Sequence, residues 1–221
     1  MVLKWFKKGN KNYPDFWMDY LEHFKKFEKT PIKETRFIAF DTETTGFDRK
    51  KDRVLSIGAV AFTGKSIPVN GSLELYLEQD IFNPDTVEIH ELMKSSKVNK
   101  VSEIEALKTF LAYIKNSVLI AHHANFDRNM MNEMLSRHGL GMLKNKFIDT
   151  GILFNKSKHI IYRENLKEHY TLDDLSKALN VPMIDRHTAS GDALITAIVF
   201  LKILSRLEKR KNLEWGYLLN R

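Results

Sequence analysis

Apolar residues at Phe16, Trp17, Tyr20, Leu21, Phe24 and Phe27 share one face of a 3.6-residue period, behind Pro14 and an N-cap at Asp15. They predict an amphipathic helix over Asp15 to Lys29, which Pro31 closes. The pattern then changes to strands: Arg36 to Phe40, Val54 to Phe62 after the charged turn Asp48 to Asp52, and Ser72 to Leu77 after the Asn70-Gly71 hairpin signal. Beyond Asn83-Pro84 helical spacing returns in a short segment near Asp85 to Met93, and the capping box Ser102-x-x-Glu105 opens a helix to about Lys115. A short apolar strand, Val118 to Ala121, leads to a helix from Asn125 to His138 that Gly139 stops, then to a strand-like Lys146 to Asp149. Thr171-x-x-Asp174 opens a helix ending near Asn180, and the last long helix runs from about Gly191 to Lys211. Three strands followed by strands alternating with helices predict an α/β protein with a mixed sheet flanked by helices.

The chain has 221 residues, long enough for a packed core, and shows no solenoid repeat and no linker that would divide its body. We divide it into a basic amino-terminal segment with the amphipathic helix, 1–35, and a main domain, 36–221. Zero cysteines exclude disulfide scaffolds, thiolate nucleophiles and iron–sulfur clusters, so any metal must sit on Asp, Glu or His. The most apolar stretch, Ala193 to Leu201, is far short of the ~18 residues of a membrane span, and the start MVLKWFKKGNKNY has no apolar signal core. The expectation is a cytoplasmic protein. Net charge is +7 and sits at the two ends of the chain, around a balanced middle. Clustered Lys and Arg suit a polyanionic partner, although a solubilising surface has the same composition. The apolar stripe of the first helix must be covered, and we expect it to pack beside the basic final helix (Lys202, Arg206, Lys209, Arg210), leaving Lys4, Lys7, Lys8 and Lys11 to meet phosphates.

The residues able to do chemistry lie at element ends. Asp41 and Glu43 close the first strand, and a period of two sends both carboxylates to one face. Two like charges there call for a positive partner, and a hard divalent cation on carboxylate oxygens is the natural one. Asp127 begins the helix after the apolar strand Val118 to Ala121, and His187 and Asp192 straddle the turn into the final helix. Each has an ordinary reading, as a first-turn acid or a surface histidine. Together they are the parts of a two-metal hydrolase.

Three ordered segments, Phe37-Ile-Ala-Phe-Asp41-Thr-Glu43-Thr-Thr-Gly46-Phe47, Ala121-His122-His-Ala-Asn-Phe126-Asp127 and His187-Thr-Ala-Ser-Gly-Asp192-Ala, make the chain resemble the DEDDh (DnaQ-like) 3′-to-5′ exonucleases. That family includes the proofreading epsilon subunit of bacterial DNA polymerase III and RNase T. The resemblance covers about residues 36 to 205, with weaker echoes at Ile89-His90, Ile148-Asp149-Thr150 and Leu172 to Leu175. It implies an RNase H-like mixed sheet flanked by helices, to which the amino-terminal helix is an addition. It further implies that Asp41, Glu43, Asp127 and Asp192 hold two ions, Mg²⁺ or Mn²⁺, with His187 as general base toward the attacking water. Thr42, Thr44 and Gly46 would lie along the terminal nucleotide, and Phe47, His90, His122 and Phe126 around its sugar and base.

The sequence departs from the family pattern at His123 in place of Asn, Glu91 in place of Gly and Ser190 in place of Leu, all bordering the nucleotide pocket. The resemblance implies a metal-dependent exonuclease that releases nucleoside 5′-monophosphates from DNA 3′ ends in proofreading or repair. An exoribonuclease trimming RNA 3′ ends shares the same motifs, and a non-catalytic nucleic-acid-binding module would keep the fold without the acids. The expected partner is a single-stranded 3′ end, with DNA favoured over RNA, and no membrane. Association with a polymerase stays open, with no glutamine-led clamp motif near either end.

Overall fold

The computed structural model of the chain describes residues 13–25, 30–79, 99–158, 169–209 and 213–219. Its sheet consists of β1 (Arg36–Thr44), β2 (Val54–Thr63), β3 (Ser72–Leu77), β4 (Lys100–Val101), β5 (Val118–Ala121) and β6 (Phe147–Asp149), in the order β4-β3-β2-β1-β5-β6. The β1–β2 and β2–β3 pairs are antiparallel, while β1–β5, β5–β6 and β3–β4 are parallel. β1 is therefore the seam between a local meander and a parallel half.

Both faces of this seam are covered, which is why β1 and β2 read as near-continuous apolar runs. On one face Ile38 and Phe40 pack with α1 (Asp15–Glu22), α2 (Glu103–Ile114) and α3 (Ala124–Arg137). On the other, Phe37 and Ala39 pack with α4 (Thr150–Ser157), α5 (Leu172–Leu179), α6 (Ala189–Glu208) and α7 (Trp215–Leu219). Phe37, Phe62 and Phe200 lie with ring centroids 5.1 to 5.8 Å apart at the centre of this second layer. Burying each such side chain contributes about 1.5–3 kcal/mol. Among the described residues no helix is long and apolar enough to cross a membrane.

The capping boxes anticipated at Ser102/Glu105 and Thr171/Asp174 both form, and Gly139 takes the left-handed φ of +70° that ends α3. Pro14, rather than Asp15, is the N-cap of α1, and the helix stops at Glu22. Residues 26–29 of the expected helix, the segment near 85–93 and the lysines at 4, 7, 8 and 11 lie outside the described residues. α4, α7 and the two-residue β4 were not anticipated.

α1 docks on the α2 face of the sheet, opposite the face that α6 covers, so the expected contact with the final helix is not made. The reason is steric and polar fit. Trp17 is buried beside Gly141, where an added Cβ would stand 3.2 Å from its ring. The buried Tyr20 hydroxyl donates to Asn145 Oδ1 at 2.6 Å and accepts from the Lys144 amide at 2.8 Å. Asn145 in turn donates to the Lys115 and Ser117 carbonyls, tying the segments ahead of β5 and β6 together. Burial pushes the Tyr20 phenol up to about 12, so it stays a neutral donor.

Candidate active site

Alternation along β1 builds the site. Asp41 and Glu43 leave the strand on the side of Phe37 and Ala39, the face that α6 covers. Thr42, between them, points the other way, toward α3. Its amide and its hydroxyl both donate to Asp127 Oδ1, at 3.1 and 2.8 Å. Asp127, in the first turn of α3, is buried. One strand thus presents two carboxylates and grips a third.

The fourth acid, Asp192, is buried in the first turn of α6. Thr188 caps that helix by accepting from the Gly191 amide at 3.0 Å, and its hydroxyl donates to the Asp185 carbonyl at 2.7 Å. The start of α6 rests on Gly58, which stands opposite Asp41 in the β1–β2 register. A Cβ at Gly58 would fall 2.1 Å from the Ala189 carbonyl carbon and 2.2 Å from the Ser190 nitrogen. This close approach brings Asp192 to the strand: one carboxylate oxygen from each of Asp41, Glu43 and Asp192 lies within 4.8 Å of the others.

Their titration reflects confinement. Burial lifts the Asp41 carboxyl well above its ordinary range, and Asp127, Glu43 and Asp192 lift it further. Burial and then Asp192 raise Glu43 to about 7. Burial also raises Asp127 to about 7, against the pull of the Thr42 hydrogen bonds. Asp192 is raised by burial, with Arg186 opposing. Gathered, desolvated carboxylates of this kind repel one another, and a donor set made only of oxygen fits a hard divalent cation.

His187 takes a left-handed φ of +67°, its ring is exposed, and its amide donates to Asp192 Oδ1 at 3.4 Å. Just before it, Arg186 reaches two acids. Its Nε donates to Asp173 Oδ1 at 2.6 Å, and its Nη1 donates to Asp192 Oδ2 and lies 3.4 Å from His187 Nδ1.

Phe47 is 89% exposed, with its ring centroid 6.0 Å from that of Phe126. The loop carrying it is braced: Thr44 Oγ1 donates to the Gly46 carbonyl at 2.8 Å, and Asp52 accepts from Thr45 Oγ1 and the Asp48 amide, both at 2.8 Å. A Cβ added at Gly46 would stand 2.5 Å from Asp52 Oδ2, so Asp52 would have to shift from its place in this loop. Two side chains expected around the substrate already have a partner within the chain. Thr42 serves Asp127, and the His122 ring is buried with Nδ1 2.9 Å from Thr150 Oγ1. Burial, and then His123, lower His122 to about 4, so it stays neutral. His90 and Glu91 lie outside the described residues. Of the divergent positions, His123 is the exposed, left-handed N-cap of α3, and Ser190 Oγ donates to Glu74 Oε1 at 2.6 Å.

Sequence reasoning passed over Gly58, Asp173 and Arg186. No local pattern marks Gly58, and Asp173 lies in the Leu172 to Leu175 echo without a role assigned to it. The adjacency of Arg186 to His187 is the one signal for the third, and its meaning depends on Asp173 arriving from α5.

The sequence profile of the RNase T exonuclease family matches residues 38–200. A DNA polymerase III subunit epsilon from Treponema pallidum is 31% identical over 174 residues, which is 79% of this chain and 79% of that protein. A PolC-type DNA polymerase III from Caldanaerobacter subterraneus is 34% identical over 179 residues, 80% of this chain but 12% of that protein. Among solved structures, Escherichia coli exonuclease I in complex with a dT13 oligonucleotide superposes with a TM-score of 0.67 at 14% identity, over 80% of this chain and 42% of that one. The fold shared with it is the RNase H-like exonuclease fold.

Proposed function

The chain belongs to the RNase T exonuclease family and is a 3′-to-5′ exonuclease, and from that premise we propose that it hydrolyses the terminal phosphodiester of single-stranded DNA, releasing nucleoside 5′-monophosphates. The observation that carries this reading is the convergence of Asp41, Glu43 and Asp192 within 4.8 Å, with Asp127 gripped directly behind by Thr42. Asp41, Glu43, Asp127 and Asp192 would hold two divalent ions, Mg²⁺ or Mn²⁺, which when bound stabilise negative charge on the attacking and leaving oxygens.

The remaining work falls to the chain's own side chains. His187, exposed at the rim of the cluster, takes the proton from the attacking water. Thr42 keeps Asp127 oriented by holding its Oδ1 with two hydrogen bonds. The exposed Phe47 and its neighbour Phe126 receive the terminal base, because an aromatic face accepts any base by stacking. Thr44 and Gly46 shape the loop along which the terminal nucleotide lies. DNA is favoured by the relatives named as a polymerase III epsilon subunit and a PolC-type polymerase, which also suggest service beside a replicative polymerase.

The test is digestion of end-labelled single-stranded DNA and RNA side by side, with Mg²⁺ and with chelator, alongside a circular single strand. Mononucleotide release from linear DNA, absent in chelator and absent on the circle, is the expected result. Preferential digestion of RNA would move the assignment to RNA trimming. Full activity in chelator would overturn the two-ion reading.

A further inference from the structure

The end of the sheet opposite the acids holds a cavity of about 500 Å³, within the size range of small-molecule sites. β1 begins there, at Arg36, and at about 3.3 Å per residue it reaches Asp41 roughly 17 Å away. Much of the cavity is made by what surrounds the family core. The exonuclease profile matches residues 38–200, and Phe24, Glu34, Arg36 and Trp215 line the cavity from outside that range. Two long-range bonds hold these additions in place. Trp215 Nε1 donates to the Thr30 carbonyl at 2.9 Å, and Asn116 Nδ2 donates to the His23 carbonyl at 3.0 Å.

The lining has the chemistry to receive an anion that carries a planar group. Arg36, Lys115, Lys144 and Lys146 supply positive charge, and Glu34 is the one acid among the described lining residues. Arg36 is half-buried and pairs with no carboxylate among the described residues. Its Nη1 donates to the Tyr113 carbonyl at 2.9 Å and to Ser117 Oγ at 2.7 Å, and its guanidinium lies over the Tyr113 ring, 5.1 Å from the centroid. Neutral groups thus hold a cation that burial disfavours, and a partly desolvated charge is costly until a counter-charge completes it. The three lysines beside it are exposed and able to supply further contacts to an anion. Phe24 and Trp215 add aromatic surface, on which a nucleobase stacks whatever its identity.

We propose that this cavity is a second ligand site, which binds one nucleoside phosphate with its phosphate toward Arg36 and the lysines and its base against Trp215 and Phe24. The volume suits a single nucleotide rather than a strand. The site is distinct from the carboxylate cluster, and the inference does not depend on the hydrolysis proposed above.

Lys144 and Lys146 give the direct test, because glutamine at either position keeps the backbone bonds that Lys144 makes to Tyr20 and Lys146 to Leu119. The measurement is isothermal titration of dTMP, thymidine, inorganic phosphate and the octanucleotide dT8 into the full chain in chelator. It is repeated with the double variant Lys144→Gln/Lys146→Gln and with Phe47→Ala, which alters the aromatic face at the carboxylate cluster. dTMP should bind at least about tenfold more tightly than thymidine or phosphate alone, since each of those forgoes one half of the recognition. The double variant should weaken dTMP binding by about tenfold or more, the scale of two charge-assisted contacts, with its melting temperature unchanged. Phe47→Ala should bind dTMP as the unaltered protein does. Loss of dTMP binding in Phe47→Ala would place the nucleotide at the carboxylate cluster and overturn the proposal. Absence of dTMP binding, or binding indifferent to the two lysines, would overturn it as well. Equal affinity for phosphate and dTMP would overturn the assignment of a nucleotide, and tighter binding of dT8 that the double variant abolishes would overturn the assignment to a free nucleotide.

Discussion

Replacing Gly58 with alanine should disable the enzyme without touching any residue that meets metal or substrate. The added methyl points toward the face that carries Asp41, directly beneath the first residues of α6. It would lie 2.1 Å from the Ala189 carbonyl carbon, against an ordinary contact of at least 3.4 Å, a shortfall of about 1.3 Å. Both obstructing residues present backbone atoms, which have no rotamer to escape into, so the start of α6 must lift by about that distance. Asp192 and His187 move with it, away from Asp41 and Glu43, whose strand is held on both sides by β2 and β5. Overpacking of this kind costs about 1–3 kcal/mol. Misplacing a reacting group by about 1 Å costs on the order of 10²-fold in rate. The assay pairs urea unfolding with exonuclease turnover at saturating DNA, and includes Ala59→Gly, on the opposite face of the same strand, as the control. Ala59→Gly should lose comparable stability and keep its turnover well below denaturing urea. A Gly58→Ala protein that turns over normally would refute the argument that this contact sets the geometry of the site.

Metal-free stability should fall as pH rises from 5 to 8. Glu43 and Asp127 have folded-state values raised to about 7 from 4.5 and 3.8, so their contribution is complete below about pH 4 and is lost on passing 7; melting in chelator across that range checks it, and a rise with pH contradicts it. Mn²⁺ should close the gap, stabilising more at pH 8 than at pH 6. Asp41→Asn should abolish turnover and yet raise the melting temperature in chelator, because it removes a half-buried acid from among like charges; a lower melting temperature would show that the carboxylates do not repel. Phe47→Ala should leave stability within about 0.5 kcal/mol and raise KM for DNA several-fold, as expected of an exposed ring. Tyr20→Phe should cost about 1–3 kcal/mol in urea unfolding, because Asn145 loses its buried donor and the Lys144 amide its acceptor.

What the sequence made legible was whatever depends on neighbours along the chain. The two capping boxes, the β1–β2–β3 meander and the same-face placement of Asp41 and Glu43 follow from spacings of two to four residues. α4 escaped because its cap, Asp149, is also the last residue of β6, and the helix then begins with Thr150, Gly151 and Ile152, none of them a strong helix former. The composition of α1 required a covering surface without specifying which, since that choice rests on Gly141 and Asn145 far along the chain. The four acids were legible as motif residues. Their dependence on Gly58 and Thr42 was not, because those contacts join distant segments.

β1 pairs on one edge with a strand close to it in the chain and on the other with a distant one, and this order bears on synthesis. The hairpin carrying Asp41 and Glu43 closes a short loop, whereas β5, with Asp127 beyond it, arrives later, and α6 later still. A chain still attached to the ribosome therefore owns two of the four acids early, without His187 and without the helix that seals the second face of the sheet. On the proposed reading of the site, the four acids and His187 come together only after α6 has been made and packed against β1.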